Sequence, residues 1–409
     1  MYRNRTSNNM IPYGQHYIDE DDIDKVVEVL RSGTLTQGPV IYEFETTLAK
    51  QVEAKYAVAV SSGTAALHLA CLAAGIGPGK KVYTSANTFV ASANSVIYTG
   101  GEPRFTDINV DTLNMCPESL LSHIAKDPEI DAVIPVHFAG LPCDMEAISN
   151  IASKHNAKVI EDASHALGAY YSSGKPVGCC AYSEMTVFSL HPVKGVTAGE
   201  GGVITTNDSA IYSKLLHLRS HGISKGNFDI PGISEGDDAL VYKDEAIDNG
   251  KLNPWYYEMQ ELGYNYRITD FQCALALSQL QKINKFMQRR KEIAKIYDSE
   301  LANLPFVTLT QADACSNSSL HLYVIRIDFN KLGKTRGEVM RELFEKNIGT
   351  QVHYIPVPFH PYYADMGFER DNYPVTKNYY YQALSIPIYY ELTDSMVADV
   401  VSGIKDTLR

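Results

Sequence analysis

The chain has 409 residues, of which 45% are apolar and 21% charged, a globular composition that excludes disordered and fibrous classes. Acidic side chains outnumber basic ones, 48 to 36, for a formal net charge of −12. That balance excludes a broad nucleic-acid or anionic-membrane footprint, which needs a basic face; an anionic small ligand held by a few local groups stays open. Seven scattered cysteines (Cys71, Cys116, Cys143, Cys179, Cys180, Cys273 and Cys315) form no CxxC pair. A disulfide framework or structural zinc site is therefore not expected, and a reducing compartment fits. The opening residues MYRNRTSNNM hold no signal-peptide core, and the apolar stretch Ala65 to Ile76 is too short to span a bilayer. The expectation is a soluble, cytoplasmic protein.

A helix is expected around Glu20–Arg31, packing on a carboxy-terminal domain. Seven runs then read as strands: YAVAV (56–60), KVYTS (81–85), EPRFTDI (102–108), DAVIPVHF (131–138), AKVIEDA (157–163), TVFSL (186–190) and GGVITTN (201–207). Helical periodicity fills several gaps between them, as in GTAALHLACLAAG and CDMEAISNIASKHN. Such alternation predicts parallel pairing with helices on both faces of the sheet. After a helix-like stretch at 209–221 comes a polar insertion, Ser224 to Asn253, with seven acidic residues against one lysine between Asp229 and Asp248. It reads as a long mobile loop, either a lid or a solvated surface segment. Two long helices follow, at 269–284 and 286–302. The tail from Leu320 carries a strand (HLYVIRI), a helix (TRGEVMRELFEKN), a strand (GTQVHYI) and a terminal helix after Thr393. The division expected is an amino-terminal segment 1–35, a large domain 36–284 and a small domain 285–409.

Three places could carry chemistry. SSGTAAL (61–67) follows a strand and opens a helix, so its N–H groups could seat an anion, or could simply start the helix. VIEDASHA puts Glu161 and Asp162 at the carboxyl end of an apolar strand, the edge where ligands sit in an open parallel sheet. A carboxylate there could keep a heterocyclic nitrogen protonated or could cap the next helix. Lys194 stands alone in the Gly- and Pro-punctuated loop of FSLHPVKGVTAGEGG, where it is either a desolvated nucleophilic amine or a solvated side chain. Together they supply what pyridoxal phosphate requires: a phosphate seat, a partner for the pyridine nitrogen and an amine for the Schiff base.

These elements, with the segments LTQGP, NTFVASAN, PVHFAG, EDASHA, LRSHGI, WYYEMQELGYNYRITDFQ and VHYIPV, resemble the DegT/StrS-type nucleotide-sugar aminotransferases over nearly the whole chain, from Ile11 to the terminal helix. The resemblance implies an α/β fold of the aspartate-aminotransferase type (fold type I): a mostly parallel seven-stranded sheet with helices on both faces, plus a smaller carboxy-terminal α/β domain. Within the family the similarity is greatest to the UDP-4-amino-4,6-dideoxy-N-acetyl-β-L-altrosamine transaminases of pseudaminic acid biosynthesis. It implies pyridoxal 5′-phosphate as cofactor, a UDP-linked 4-keto sugar and L-glutamate as substrates, and a homodimer with shared active sites.

By the same resemblance Lys194 would bond the cofactor and move the proton, and Asp162 would pair with the pyridine nitrogen. Phe89 would stack on the ring. Gly63, Thr64 and Ala65 would seat the phosphate with Ser189, and Asn265 would reach the phosphate of the neighbouring subunit's cofactor. His165 stands where many relatives have glutamine, and its ring N–H could donate the same bond to the phenolic oxygen. Leu190, in SLHPVK, replaces a common phenylalanine and reads as a packing change. A lysine at 194, where sugar dehydratases of the family carry histidine, favours transamination. Tyr13, Thr36, Gln37, Gly38, His353 and Tyr354 would border the nucleotide sugar. His191 reads as a packed loop histidine, and the tyrosines at 379–381 and 389–390 as packing or subunit contact. Two other readings remain open: a different nucleotide keto-sugar (dTDP-linked or 3-keto), or a non-catalytic regulator of the same fold. The presence of Lys194 and Asp162 and the lack of a basic stripe count against the regulator.

Overall fold

The β-rich runs between 56 and 206 assemble into one sheet of seven strands. In the computed structural model, which describes residues 10–224, 243–248, 251–310 and 317–409, they are β1 (Tyr56–Val60), β2 (Lys81–Ser85), β3 (Glu102–Thr106), β4 (Ala132–Ile134), β5 (Lys158–Asp162), β6 (Met185–Ser189) and β7 (Gly202–Thr206). Their order is β1-β7-β6-β5-β4-β2-β3. Pairing is parallel from β3 through β6, and β7 runs antiparallel to both β6 and β1. The sheet is mostly parallel as expected, and β7 is the exception for a physical reason: a parallel return needs a crossover of a dozen or more residues, usually a helix. The segment 190–201 contains no helix, so the chain turns straight back and pairs Ser189 with Gly202.

Strand alternation divides the core between two faces. Ala57, Ala59, Val159 and Phe188 point to one side, with α2 (Pro39–Gln51), α5 (Pro117–Lys126), α6 (Met145–Lys154) and the helix Asp270–Gln281. Val58, Val60, Ile160, Met185 and Val187 point to the other, with α3 (Gly63–Ala73), α4 (Ala91–Tyr98) and α7 (Ser209–Arg219). A second core lies under the antiparallel three-stranded sheet Val307–Leu309, Tyr323–Ile327 and Ala383–Ile386, covered by the helices Ile283–Leu301, Arg336–Glu345 and Asp394–Thr407.

The amino-terminal segment serves both cores. Ile11 is buried in the second one and its backbone pairs with Ile348 and Gly349. Helix α1 (Glu20–Ser32) lies instead on Asp270–Gln281, where the buried Asp22 accepts from Gln279 Nε2 at 2.6 Å and Lys282 Nζ at 2.9 Å. GTQVHYI is not a strand: Gln351 makes a single bridge to Ser385, and the His353–Tyr354 peptide is cis. Of the tyrosine cluster, Tyr379 and Tyr389 are packed inside and Tyr381 is exposed. Most of the acidic insertion expected as a mobile loop lies outside the described residues. Its described parts hold a short helix, Lys243–Ala246, and join two short ladders, Ile223–Ser224 with Glu258–Met259 and Ile247–Asp248 with Lys251–Leu252. Among the described residues no helix is long and apolar enough to cross a membrane.

Candidate active site

The carboxyl ends of β1, β5 and β6 share one edge of the sheet, and each delivers a piece of the same site. After β1, Ser62 caps α3 by accepting the Ala65 N–H at 3.1 Å, so Gly63 and Thr64 open the helix with amides facing out from its positive end. A side chain is crowded at one crossing and excluded at the other: a Cβ on Gly63 would lie 3.0 Å from Ser189 Cβ, and one on Gly202 would lie 2.3 Å from the Ser62 carbonyl oxygen. The turn after β1 is thereby pressed onto the end of β6. Ala65 differs from its expectation, since its N–H is taken by Ser62 and its side chain is buried in the core away from the cavity.

At the end of β5 the two neighbouring carboxylates part. Glu161 faces away from the cavity and is completely buried, accepting from Tyr171 at 2.6 Å, Ser183 at 2.5 Å and Thr186 at 3.1 Å, with His137 Nε2 at 2.8 Å. The Cys143 N–H donates to His137 Nδ1 at 3.1 Å. Against its burial, its contacts with Cys143 and Glu161 raise His137 to about 10. A ring nitrogen that accepts an N–H carries no proton, however, so the neutral ring giving Nε2–H to Glu161 is the form this geometry fits. Asp162, on the opposite face, borders a cavity of about 450 Å³ together with Lys194, Ser189 and Gly63. Its carboxylate is held by the Ser92 hydroxyl at 2.7 Å and the Ser164 N–H at 3.1 Å, and keeps free lone pairs for a ligand.

Lys194 follows β6 in the loop that turns back into β7. Burial pulls its ammonium down to about 8, working against the Asp162 carboxylate, which raises it. Such an amine is in part neutral near physiological pH, as a nucleophile or general base needs. Opposite it stand residues from the carboxy-terminal part of the chain. His353 is buried with Nδ1 2.8 Å from Ser385 Oγ, and burial followed by the Lys194 charge holds it down to about 3. The Tyr354 hydroxyl lies 3.0 Å from His165 Nε2, and Phe89, 56% exposed, stands at the cavity rim with its ring 5.9 Å from that of Tyr354. Phe89 is thus no core residue. Tyr13 completes this wall, its ring 5.5 Å from that of His353.

Other expected residues lie elsewhere. Thr36 and Gly38 are outside the cavity of their own chain, tied to the start of the helix Asp270–Gln281 by a Thr36–Thr269 bridge and a Gly38 N–H to Asp270 bond of 2.9 Å. Gln37 is exposed beside them. Asn265 is likewise exposed, paired with Ser220. His191 is exposed and borders the cavity mouth with Glu200, so it is not a packed loop histidine.

Three residues were missed. Ser92 sits three positions after Phe89 in NTFVASAN, and its hydroxyl orients Asp162. His321 lines the cavity and lies ring to ring with His165, at a centroid distance of 4.4 Å. Arg290, 5% exposed, spends Nη1 on the carbonyls of Leu320, His321 and Ile388 and so fixes the backbone that carries His321. Only Ser92 had a sequence signal, a hydroxyl within a segment already marked for chemistry.

A loop lysine of lowered basicity, an aspartate with free lone pairs and a helix amino terminus, all on one strand edge, define the site class: a fold type I pyridoxal-phosphate enzyme. The fit can be judged from the protein alone. His165 Nδ1 is buried without a partner among the described residues, and the Gly63–Ser189 contact leaves open the space that a phosphate needs. The model of the DegT/DnrJ/EryC1/StrS aminotransferase family matches residues 16–405, and the chain belongs to that family. It is a sugar aminotransferase that works with pyridoxal 5′-phosphate.

The chain is 39% identical over 404 residues to the spore coat polysaccharide biosynthesis protein SpsC of Bacillus subtilis, covering 98% of each. It is 36% identical over 384 residues to the UDP-4-amino-4,6-dideoxy-N-acetyl-beta-L-altrosamine transaminase of Campylobacter jejuni, covering 94% of this chain and 93% of that one. Among solved structures, Helicobacter pylori PseC, an aminotransferase involved in the biosynthesis of pseudoaminic acid, matches with a TM-score of 0.84 at 28% identity, over 98% of this chain and 99% of that one. The PLP form of the sugar aminotransferase Spr1654 from Streptococcus pneumoniae matches with a TM-score of 0.83 at 28% identity, over 98% of both chains.

Proposed function

We propose that the enzyme transfers the amino group of L-glutamate to C4 of a UDP-linked 4-keto-6-deoxy-N-acetylhexosamine, in the cytoplasm. The product is a 4-amino sugar nucleotide of a pseudaminic acid-type nonulosonate route. The likeness to the Campylobacter transaminase and to PseC supports this choice of sugar. Within the site, the observation that carries transamination is the Lys194 amine, brought down to about 8 by burial in a cavity that Asp162 also borders.

When bound, pyridoxal phosphate supplies a carbonyl for the donor's amine and a protonated ring that draws off an electron pair. The protein's own residues do the rest. Lys194 would hold the cofactor through Nζ and, once released, would carry the proton between the substrate carbon that bears the transferred nitrogen and the cofactor carbon. Asp162, oriented by Ser92, keeps the ring nitrogen protonated. The amides of Gly63 and Thr64 and the Ser189 hydroxyl hold the phosphate, and Phe89 covers the ring. Tyr13, His353 and Tyr354 line the sugar's side, and their largely apolar wall excludes water from the reacting carbons.

Asn265 reaches the phosphate of the neighbouring copy's cofactor, which makes the homodimer the active form. Its exposure on its own chain supports that role. Thr36 and Gly38 are fastened to residues 269–270, a few positions from Asn265, and act on the sugar nucleotide across the same interface. The division of the chain that we propose with this reading is 1–35, 36–284 and 285–409.

A second reading, amination of another nucleotide keto-sugar, is supported by the higher identity to SpsC. Incubation with glutamate and UDP- or dTDP-linked 3-keto and 4-keto sugars, followed by NMR of the products, decides between them. Amination at C4 of the UDP-linked N-acetyl sugar is expected. Turnover confined to a dTDP-linked or 3-keto sugar would replace this substrate.

A further inference from the structure

At His165 the hydrogen-bond count does not close. The ring is 8% exposed, its Nε2 lies 3.0 Å from the Tyr354 hydroxyl, and its buried Nδ1 makes no hydrogen bond among the described residues. A neutral imidazole has one donor and one acceptor nitrogen, so two proton assignments compete. If Nε2 carried the proton, it would donate to the Tyr354 oxygen. The phenol's own hydrogen would then lack an acceptor, because His165 is the one partner of that hydroxyl among the described residues, and the Nδ1 lone pair would be stranded too. If the phenol donates, Nε2 is satisfied and a single group, Nδ1–H, is left over. Buried unmade hydrogen bonds are costly, so the second arrangement prevails.

A charged imidazolium is opposed from every element around the ring. Burial first, then the Lys194 charge and the neighbouring His353, hold His165 well below its ordinary range, and His321 lies against it. Asp162, on the strand that precedes His165, bonds to Ser92 and the Ser164 N–H and makes no hydrogen bond to His165 among the described residues. On the other side of the contact, burial followed by the Asp162 charge raises the Tyr354 phenol, which therefore keeps its proton.

We infer that Tyr354 is a positioning residue: its hydroxyl donates to His165 Nε2 and fixes the Nδ1–H tautomer, so that His165 offers a neutral donor to the phenolic oxygen of the bound cofactor. This rests on the reading above, in which His165 faces that oxygen, and it gives Tyr354 a task separate from lining the sugar's side.

The test is a pH titration of the visible absorbance of the holoenzyme. A donor to the phenolic oxygen favours its ionised form, so loss of the donor raises the midpoint. One hydrogen bond corresponds to about half to one pH unit. His165→Ala is expected to show the full rise, Tyr354→Phe to move the same way, and the double variant to go no further. A purely structural Tyr354 would lower thermal stability and leave the midpoint alone, and that result overturns the proposal. An unmoved midpoint in His165→Ala overturns it as well.

A measurement on the wild type needs no variant at 354 to fold. In holoenzyme carrying 15N-histidine, with the His165 signal identified by its loss in His165→Ala, the proton is expected on Nδ1; a proton on Nε2 refutes the assignment. Borohydride labelling of the same samples separates the two failures. An unlabelled Lys194 in wild type sinks the underlying site reading, whereas a labelled Lys194 with an unmoved midpoint sinks only the tautomer.

Discussion

The basicity of Lys194 makes a prediction that uses no substrate. A lysine at the ordinary 10.5 is neutral at pH 7 in about one molecule in 3,000. At about 8, the value to which burial brings Lys194, the neutral share is roughly one in ten. Only the neutral amine attacks the cofactor's aldehyde, so recombination of apoenzyme with pyridoxal phosphate gains a factor of about 300 at pH 7 from this shift. The sign follows from the causes: desolvation disfavours the ammonium, and the Asp162 carboxylate partly restores it. Stopped-flow absorbance at fixed excess cofactor should therefore rise with pH, reach half its plateau near 8 and flatten about one unit higher. Asp162→Asn removes the opposing charge and should move the midpoint lower still. A rate still climbing steeply at pH 10, as for a solvated lysine, would refute the claim that the loop buries this amine.

Three further variants test the packing and the site. Glu161→Gln puts an amide among four side chains that approach the carboxylate as donors, and should destabilise the protein by about 3 kcal/mol in chemical denaturation while leaving the cofactor's spectrum unchanged. Asp162→Asn, one residue along the strand, should do the reverse, altering the spectrum and removing turnover at a cost of about 1 kcal/mol. Arg290→Ala strips three buried carbonyls of their donor and should cost about 3 kcal/mol, with weakened cofactor binding by fluorescence titration because the His321 backbone is released.

Much of this was legible in the sequence because it depends on local pattern. The strand runs, the helix opening at Gly63 and the punctuated loop around Lys194 are set by neighbours in the chain, and all appear close to where the residues put them. The direction of β7 was legible too, from the missing helix between 190 and 201, a signal that strand spacing alone had hidden. Which of Glu161 and Asp162 meets the cavity was readable from the family resemblance alone, since alternation makes them face apart without saying which face holds the site. Arg290 stands beside Arg289 on a charged helix, and nothing local distinguishes the buried one. His321 opens an apolar strand run and meets His165, far from it in the chain, only in the folded structure. The failed strand at GTQVHYI has the same origin: its residues take their places from the cavity wall and from Ser385.

The most direct measurement is to reduce the resting holoenzyme with borohydride, digest it and locate the pyridoxyl group by mass spectrometry. The site described here requires the added mass on the peptide containing Lys194 and its disappearance in Lys194→Ala. Attachment to another lysine, or a reduced enzyme that carries no cofactor mass, would contradict it.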